Sequence, residues 1–268
     1  MKPSFLNHAK PLLTNMIQVE TPEECIITVK NAIYDGADAF GLQLCKLKPE
    51  YRNPEIYKKI FATMGPRPIY LTNYRDVYNE GLSDEACMEG LLEAMKAGGT
   101  LCDIMGDTYA RDAMELTYDR EAIEKQKKLI DKVHSMGKEV LMSSHVCKFL
   151  SADQVLEIAM AHQERGADIA KIVTEANSTE EEIENLRITN LLKKELKIPF
   201  LFLSVGTHYK LHRMVGPMIG SVMCLCVQQH DVLSTKTQPV LRAAKQVLDS
   251  MDYLPEIAYM GGTTDVTI

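Results

Sequence analysis

"EVLMSSHVCKFLSADQVLEIAMAHQERGADIAKIV" (139–173) carries the pattern that decides the fold. It opens on a short apolar run at 139–144, then meets a capping box at Ser151 and Gln154. The helical portion ends at Gly166, a residue suited to a left-handed C-terminal cap. A second apolar run follows at 168–173. Strand, capped helix and strand make a βαβ unit, whose strands lie parallel and are joined by a right-handed crossover. Near-continuous hydrophobicity in both runs marks strands covered on both faces.

The same unit recurs on either side. Apolar runs at 12–17, 39–44, 68–72, 101–105, 200–205 and 221–227 complete a set of eight. Between them lie helix signals. Thr21-Pro22-Glu23-Glu24 supplies a capping threonine, a proline at the first helical position and a glutamate three residues after the cap. Ser178 and Glu181 repeat the box, and Gly137 fits a C-terminal cap. Ile123, Ile130, Val133 and Met136 form one apolar stripe, while "KQKK" (125–128) reads as a solvated helix face. Units averaging roughly 33 residues leave room for every crossover, and eight of them close most economically into a single (β/α)8 TIM barrel. A doubly wound open sheet is the competing arrangement. No Gly-x-Gly-x-x-Gly turn follows the first run, which weakens a dinucleotide fold. No linker interrupts the chain, so the expectation is one domain over 1–268, with "AYMGGTTDVTI" (258–268) as a tail.

Bulk composition narrows the function classes. Hydrophobic residues are 46% and charged residues 25% of the chain, as in a globular domain with a sizeable core. A net charge of −7 argues against holding a nucleic-acid backbone by bulk electrostatics. The cysteines number seven, with no CxxC set, and read as reduced thiols of a cytoplasmic protein. His145-x-Cys147 and Cys224-x-Cys226 lack a second ligand pair, so no metal is expected. The opening "MKPSFLNHAK" has no signal-peptide core and no run approaches a membrane span, so a soluble protein is expected.

In such a barrel, function gathers at the carboxyl ends of the strands. The polar residues expected there are His145, Lys171, Arg75 and Glu80 after strand three, His208, Lys210, His212 and Arg213 after strand seven, and Ser234, Lys236 and Gln238 after strand eight. His208 and His212 stand four apart and read as surface histidines. Period two puts Ile169, Lys171 and Val173 on one face of their strand. An amine facing the barrel interior is desolvated, which lowers its pKa and frees its lone pair to attack a carbonyl. The alternative is a structural lysine paired with a carboxylate or reaching solvent from the strand end. His145, at the end of the preceding strand, favours chemistry, because an imidazole beside an imine moves protons at the neighbouring carbon.

"SSHVCKF…GADIAKIV" resembles the histidine and Schiff-base-lysine motifs of the type I 3-dehydroquinate dehydratase family. "PIYLTNYRDVYNEG", "LSVGTHYKLHRMVGPMIGSVM" and "STKTQPVL" resemble its arginine-and-acid segment, its substrate-arginine segment and its flexible loop. The resemblance implies a hydro-lyase of the shikimate pathway that works through a covalent imine on Lys171 and needs no cofactor. It implies His145 as the proton carrier and Glu80, or Asn79, as the acid-position residue orienting it. Arg75, Arg213, Ser234 and Gln238 follow as contacts to a carboxylated hydroxy-ketone, and a homodimer follows as the assembly. Gly41 and Gln43 stand where the family carries two charged residues, and Met105 where it tends to carry an acid. Those departures leave room for a relative of the same imine class, a lyase or aldolase acting on another hydroxy-ketone. A binding barrel without catalysis is the further alternative.

Overall fold

A computed structural model describes residues 3–251. The tail expected at 258–268 lies outside the described residues. Strands β1 (Leu12–Ile17), β2 (Ala39–Gln43), β3 (Ile69–Thr72), β4 (Leu101–Met105), β5 (Glu139–His145), β6 (Ile169–Ala176), β7 (Phe200–Gly206) and β8 (Met223–Cys226) form one parallel sheet. Helices α1 (Pro22–Tyr34), α2 (Pro54–Met64), α3 (Asp84–Ala97), α4 (Arg120–Ser135), α5 (Ala152–Glu164), α6 (Thr179–Glu195), α7 (Lys210–Ile219) and α8 (Leu241–Ser250) alternate with the strands. The sheet runs β7-β6-β5-β4-β3-β2-β1-β8, so each strand pairs with its neighbour in sequence and β8 returns to β1. Val222 N donates to Phe200 O at 2.9 Å and bridges the remaining seam, leaving a nearly closed ring. The chain is a (β/α)8 TIM barrel.

Local signals explain the elements. Thr21 and Ser151 make the reciprocal capping boxes expected of them, and Ser178 accepts from Glu181 N. Side chains alternate through the sheet. Ile169 and Val173 pack inside with Leu141, Leu201 and Leu203, whereas Ala170 and Ile172 face the helices among Ile158, Ile188 and Phe202. The amino end of the barrel is stoppered by the chain's own beginning. Phe5 is fully buried edge-on to Tyr70, and Glu139 accepts from Phe5 N and the Ser4 hydroxyl. With that end closed, the cavity inside the barrel opens at the carboxyl ends of the strands.

Two surface expectations fail. Gln126, within the supposed solvated "KQKK" face, is fully buried and donates to the carbonyls of Gly106 and Thr108 beneath the β4–α4 loop. His212 is 1% exposed rather than at the surface. Its Nε2 pairs with the Thr189 hydroxyl at 2.9 Å, and its Nδ1 accepts from Ser204 N. Helix α7 begins at Lys210, so His208 precedes it and the two histidines share no helix face. Among the described residues, no helix is long and apolar enough to cross a membrane, and no group of three or more potential ligands is gathered for a metal ion.

Candidate active site

β5 and β6 pair with Ser143 opposite Lys171 and His145 opposite Val173. Lysine and histidine therefore rise on adjacent strands, the histidine one inward-facing position nearer the rim. Both line a cavity of about 390 Å³ at the carboxyl ends of the strands. Lys171 is 4% exposed. Its ammonium donates to Tyr74 Oη at 2.6 Å, and to Tyr70 Oη and Asp103 Oδ2 at 3.2 Å each. Burial pulls the lysine below its ordinary pKa, and the Asp103 charge works against that pull. The lysine nitrogen thus stands 3.2 Å from a buried carboxylate, which opposes the desolvation that favours the neutral amine.

Asp103 is itself fully engaged. Tyr70, Tyr74 and Ser143 all donate to it. Burial works to raise its pKa, but Lys171, the His145 charge and the hydrogen bonds more than offset that and hold it below the usual carboxylate range. Period two on β4 puts Asp103 on the inner face between Leu101 and Met105. Sequence reading stopped at Met105, which lines the cavity as hydrocarbon, and missed the acid two residues earlier.

The acid that orients His145 is Glu115, not Glu80. Its Oε2 stands 2.9 Å from His145 Nδ1 and also accepts from the His145 backbone nitrogen at 2.7 Å. Glu80 is exposed just after a 3-10 turn at Val77–Asn79 and lies outside the cavity lining. Asn79 is buried with its amide committed to Asn73 and the Tyr74 carbonyl, and accepts from Arg52. Glu115 sits at φ +46°, a left-handed conformation costing of order 1–3 kcal/mol for a residue with a Cβ. Its surroundings hold it there. The Ser144 hydroxyl donates to its carbonyl at 2.7 Å, and Arg165 donates to the carbonyls of Gly106 and Thr117 on either side. Gly106 is required beneath it, since a Cβ there would meet the Glu115 carbonyl oxygen at 2.6 Å. Burial raises the carboxyl's pKa, but the His145 hydrogen bond and charge bring it below its ordinary value.

The remaining expected residues divide. Arg213, 5% exposed on α7, lines the cavity. Its Nε donates to the Ser204 carbonyl and its Nη2 reaches the Thr237 hydroxyl at 3.4 Å, while Nη1 has no hydrogen-bond partner among the described residues. Among the described residues it has no acidic partner, and burial pushes its pKa down to about 10. Gln238 lines the cavity with Oε1 unpartnered. Ser234 does not: its hydroxyl is turned into its own loop, where it caps Asp231, and Thr235 takes the lining position. Arg75 borders the cavity but is held in ion pairs with Asp84 at 2.6 Å and Asp107 at 2.8 Å. Burial works to lower its pKa and the two carboxylates raise it by more, so little positive field is left for a ligand.

Gln43 also lines the cavity, tied to Gln18 and Asp76. Gln18 in turn accepts from Thr235 N at 2.7 Å and, with Lys46 donating to the Leu233 carbonyl, holds the β8–α8 loop against the rim. At Gly41 the missing side chain is replaced by Met16, whose Sδ lies 2.1 Å from where a Cβ would be.

A model of the type I 3-dehydroquinase family matches residues 78–255, about two thirds of the chain. The chain belongs to the type I 3-dehydroquinase family. It is 31% identical over 160 residues to the 3-dehydroquinate dehydratase of Alkaliphilus oremlandii, covering 54% of this chain and 61% of that protein. The enzyme of the same name from Clostridium kluyveri is 29% identical over 170 residues, 63% of each chain. These matches span less than two thirds of the relatives' length. The solved type I 3-dehydroquinate dehydratase of Clostridium difficile superposes with a TM-score of 0.74 at 17% identity, covering 90% of this chain and 92% of that one, which shows the shared barrel. The family match takes in Lys171, His145 and Arg213 and begins after β1–β3, the strands that carry Met16, Gly41 and Gln43.

Proposed function

We propose that this chain is a Schiff-base hydro-lyase that dehydrates 3-dehydroquinate to 3-dehydroshikimate, the shikimate-pathway step. The observation that carries it is a buried lysine amine at the carboxyl end of a barrel, with an acid-oriented histidine on the next strand and an unpaired buried guanidinium across one cavity. Family membership and the curated relatives named 3-dehydroquinate dehydratase support the same activity.

Arg213 receives the substrate carboxylate through a forked pair of hydrogen bonds, supplying the counter-charge that the empty site lacks. Lys171 adds to the ketone, water leaves, and the protonated imine withdraws electrons from the adjacent carbon. His145 takes a proton from that carbon, and an enamine forms. The hydroxyl on the next carbon departs as water with the proton that His145 returns, and hydrolysis of the imine releases the enone and the free amine. Glu115 keeps the imidazole's Nδ1 engaged, so Nε2 faces the substrate. Gln238 and Thr235 on the β8–α8 loop cover the ligand and exclude water. Gln43 and Gln238 offer amides to substrate hydroxyls, whereas Met16 and Met105 add hydrocarbon surface to the same cavity.

The imine on Lys171 serves in place of any cofactor. One barrel domain, assembled as a cytoplasmic homodimer as the family resemblance implies, completes the reading, and seven free cysteines fit a reducing compartment.

The test is reduction with borohydride in the presence of 3-dehydroquinate, followed by peptide mass analysis. A covalent adduct on Lys171, lost in Lys171→Met, together with ultraviolet appearance of the enone, is the expected result. An unmodified lysine and no enone would refute the activity.

A further inference from the structure

One hydroxyl beside the lysine has no task in the imine scheme. Tyr74 follows β3, and its ring stands edge-on to His145, with centroids 5.1 Å apart and planes at 81°. Its oxygen accepts from Lys171 Nζ at 2.6 Å and donates to Asp103 Oδ2 at 2.5 Å, and Tyr74 lines the cavity. Tyr70 makes the same two connections, with Nζ at 3.2 Å, but it is fully buried and outside the lining. Of the two phenols, only Tyr74 joins the nitrogen, the carboxylate and the space where substrate must lie.

The position matters because imine formation moves protons besides the one that His145 takes from carbon. Its Nδ1 is committed to Glu115, leaving one nitrogen for the carbon acid. Once the N–C bond forms, the former ketone oxygen lies within about 2.5 Å of Nζ by covalent geometry. A hydroxyl already in contact with Nζ, and open to the cavity, is within hydrogen-bond reach of that oxygen.

We infer that Tyr74 is a second acid–base catalyst of this site, carrying protons between Lys171 Nζ, Asp103 and the substrate's ketone oxygen as the imine forms and is hydrolysed. The balance closes. The resting ammonium passes one proton through the phenol to Asp103, and the freed amine adds to the carbonyl carbon as the C=O π bond breaks. The alkoxide takes a proton from Tyr74, which recovers one from Asp103. The cationic nitrogen then loses its second proton through Tyr74 to the new hydroxyl, the C–O bond breaks, and water departs. The nitrogen lone pair closes the iminium. Two protons have moved from nitrogen to water, Tyr74 is again a phenol, and Asp103 is again the carboxylate that faced the ammonium and now faces the iminium.

The inference rests on the imine activity proposed above, and timed borohydride trapping with 3-dehydroquinate separates the two. If the unmodified protein is never trapped, the imine activity itself fails and this role fails with it. If it is trapped, Tyr74→Phe is expected to slow the appearance of the adduct by about 10²–10⁴-fold. In the same variant the deuterium isotope effect at the abstracted C–H shrinks towards unity, because imine formation has become limiting. Tyr70→Phe, which removes the same two contacts to Lys171 and Asp103 but lies outside the cavity lining, is expected to slow trapping at least about tenfold less than Tyr74→Phe. Trapping by Tyr74→Phe at the parent rate, or equal slowing in both variants, would overturn the role. On the unmodified protein, heavy water is expected to slow trapping, because protons move in the step that sets its rate. The absence of a solvent effect would count equally against it.

Discussion

Glu115 Oε2 bonds both the ring Nδ1 and the backbone nitrogen of His145, at 2.9 and 2.7 Å, from a loop residue held at φ +46°. One carboxylate oxygen thus fixes both the imidazole's tautomer and its position along the strand. Glu115→Gln keeps the shape but replaces an ionic acceptor with an amide. The expected outcome is a kcat reduced about 10- to 100-fold with KM little changed, because the imidazolium formed during proton transfer loses its counter-charge. Glu80→Gln should leave both constants within twofold (~2, a surface-substitution effect). Steady-state kinetics on the two variants checks the assignment, and a large loss in Glu80→Gln with none in Glu115→Gln would reverse it.

The barrel was legible in the sequence because its signals are local. Period-two patterning, capping boxes and terminal glycines set the strands and helices, and sequential pairing then puts β5 beside β6. That is why Lys171 and His145 could be placed together. Asp103 was within reach of the same rule, as an acid on the inner face of a buried strand requires a cation and Lys171 is the inward-facing one. Glu115 was not. It comes from residues 106–119, a long βα connection with no periodicity, and its direction depends on a left-handed backbone, the Gly106 contact and Arg165 from beyond α5. The neutralisation of Arg75 was hidden in the same way, because Asp84 and Asp107 arrive from the start of α3 and the connection after β4.

Arg213 carries a conflict between stability and function. A buried guanidinium with Nη1 unpartnered and no acid beside it among the described residues is a destabilising feature of the fold. Arg213→Met should therefore raise the Tm of the unliganded protein, with roughly 1 kcal/mol or more gained from the removed charge, while activity falls at least about 100-fold. Arg213→Lys keeps the charge and loses the fork, and should raise KM about 10- to 100-fold. Thermal melts alongside kinetics decide it. A lower Tm in Arg213→Met would mean that the guanidinium is paired in the resting protein.

Gly41 and Met16 test what shapes the substrate wall. A Cβ at position 41 would lie 2.1 Å from Met16 Sδ, but that sulfur is the flexible end of a side chain bordering an open cavity. Gly41→Ala should then cost less than about 1 kcal/mol of stability, since the thioether swings aside into the cavity. The displaced sulfur should raise KM several-fold, and adding Met16→Ala should restore it. Denaturant melts and KM for the single and double variants form the cycle. A stability loss without a KM change would show that Met16 moves away from the cavity instead.

His162 and His212 are buried as neutral rings, and burial pushes the pKa of each down to about 3 from an ordinary 6.5. His162 holds the Ser144 hydroxyl through Nε2, and His212 bridges Thr189 and the Ser204 backbone. Between about pH 6.5 and pH 3 the unfolded chain binds protons that the folded one refuses, so stability rises with pH through that window. Acidification from pH 7 therefore weakens the fold already above the usual carboxylate range, by up to about 1.4 kcal/mol per pH unit for each histidine. Asp103, Glu115 and Asp84 have folded pKa values below their ordinary ones, so their contribution is present above the usual carboxylate range and is lost only at more acid pH. Glu139, raised by burial, acts in the opposite sense. Urea midpoints measured from pH 7 to pH 5 should fall steadily, and His212→Gln should flatten that slope by about half. A midpoint independent of pH over this range would mean that both rings reach solvent or gain a proton without unfolding.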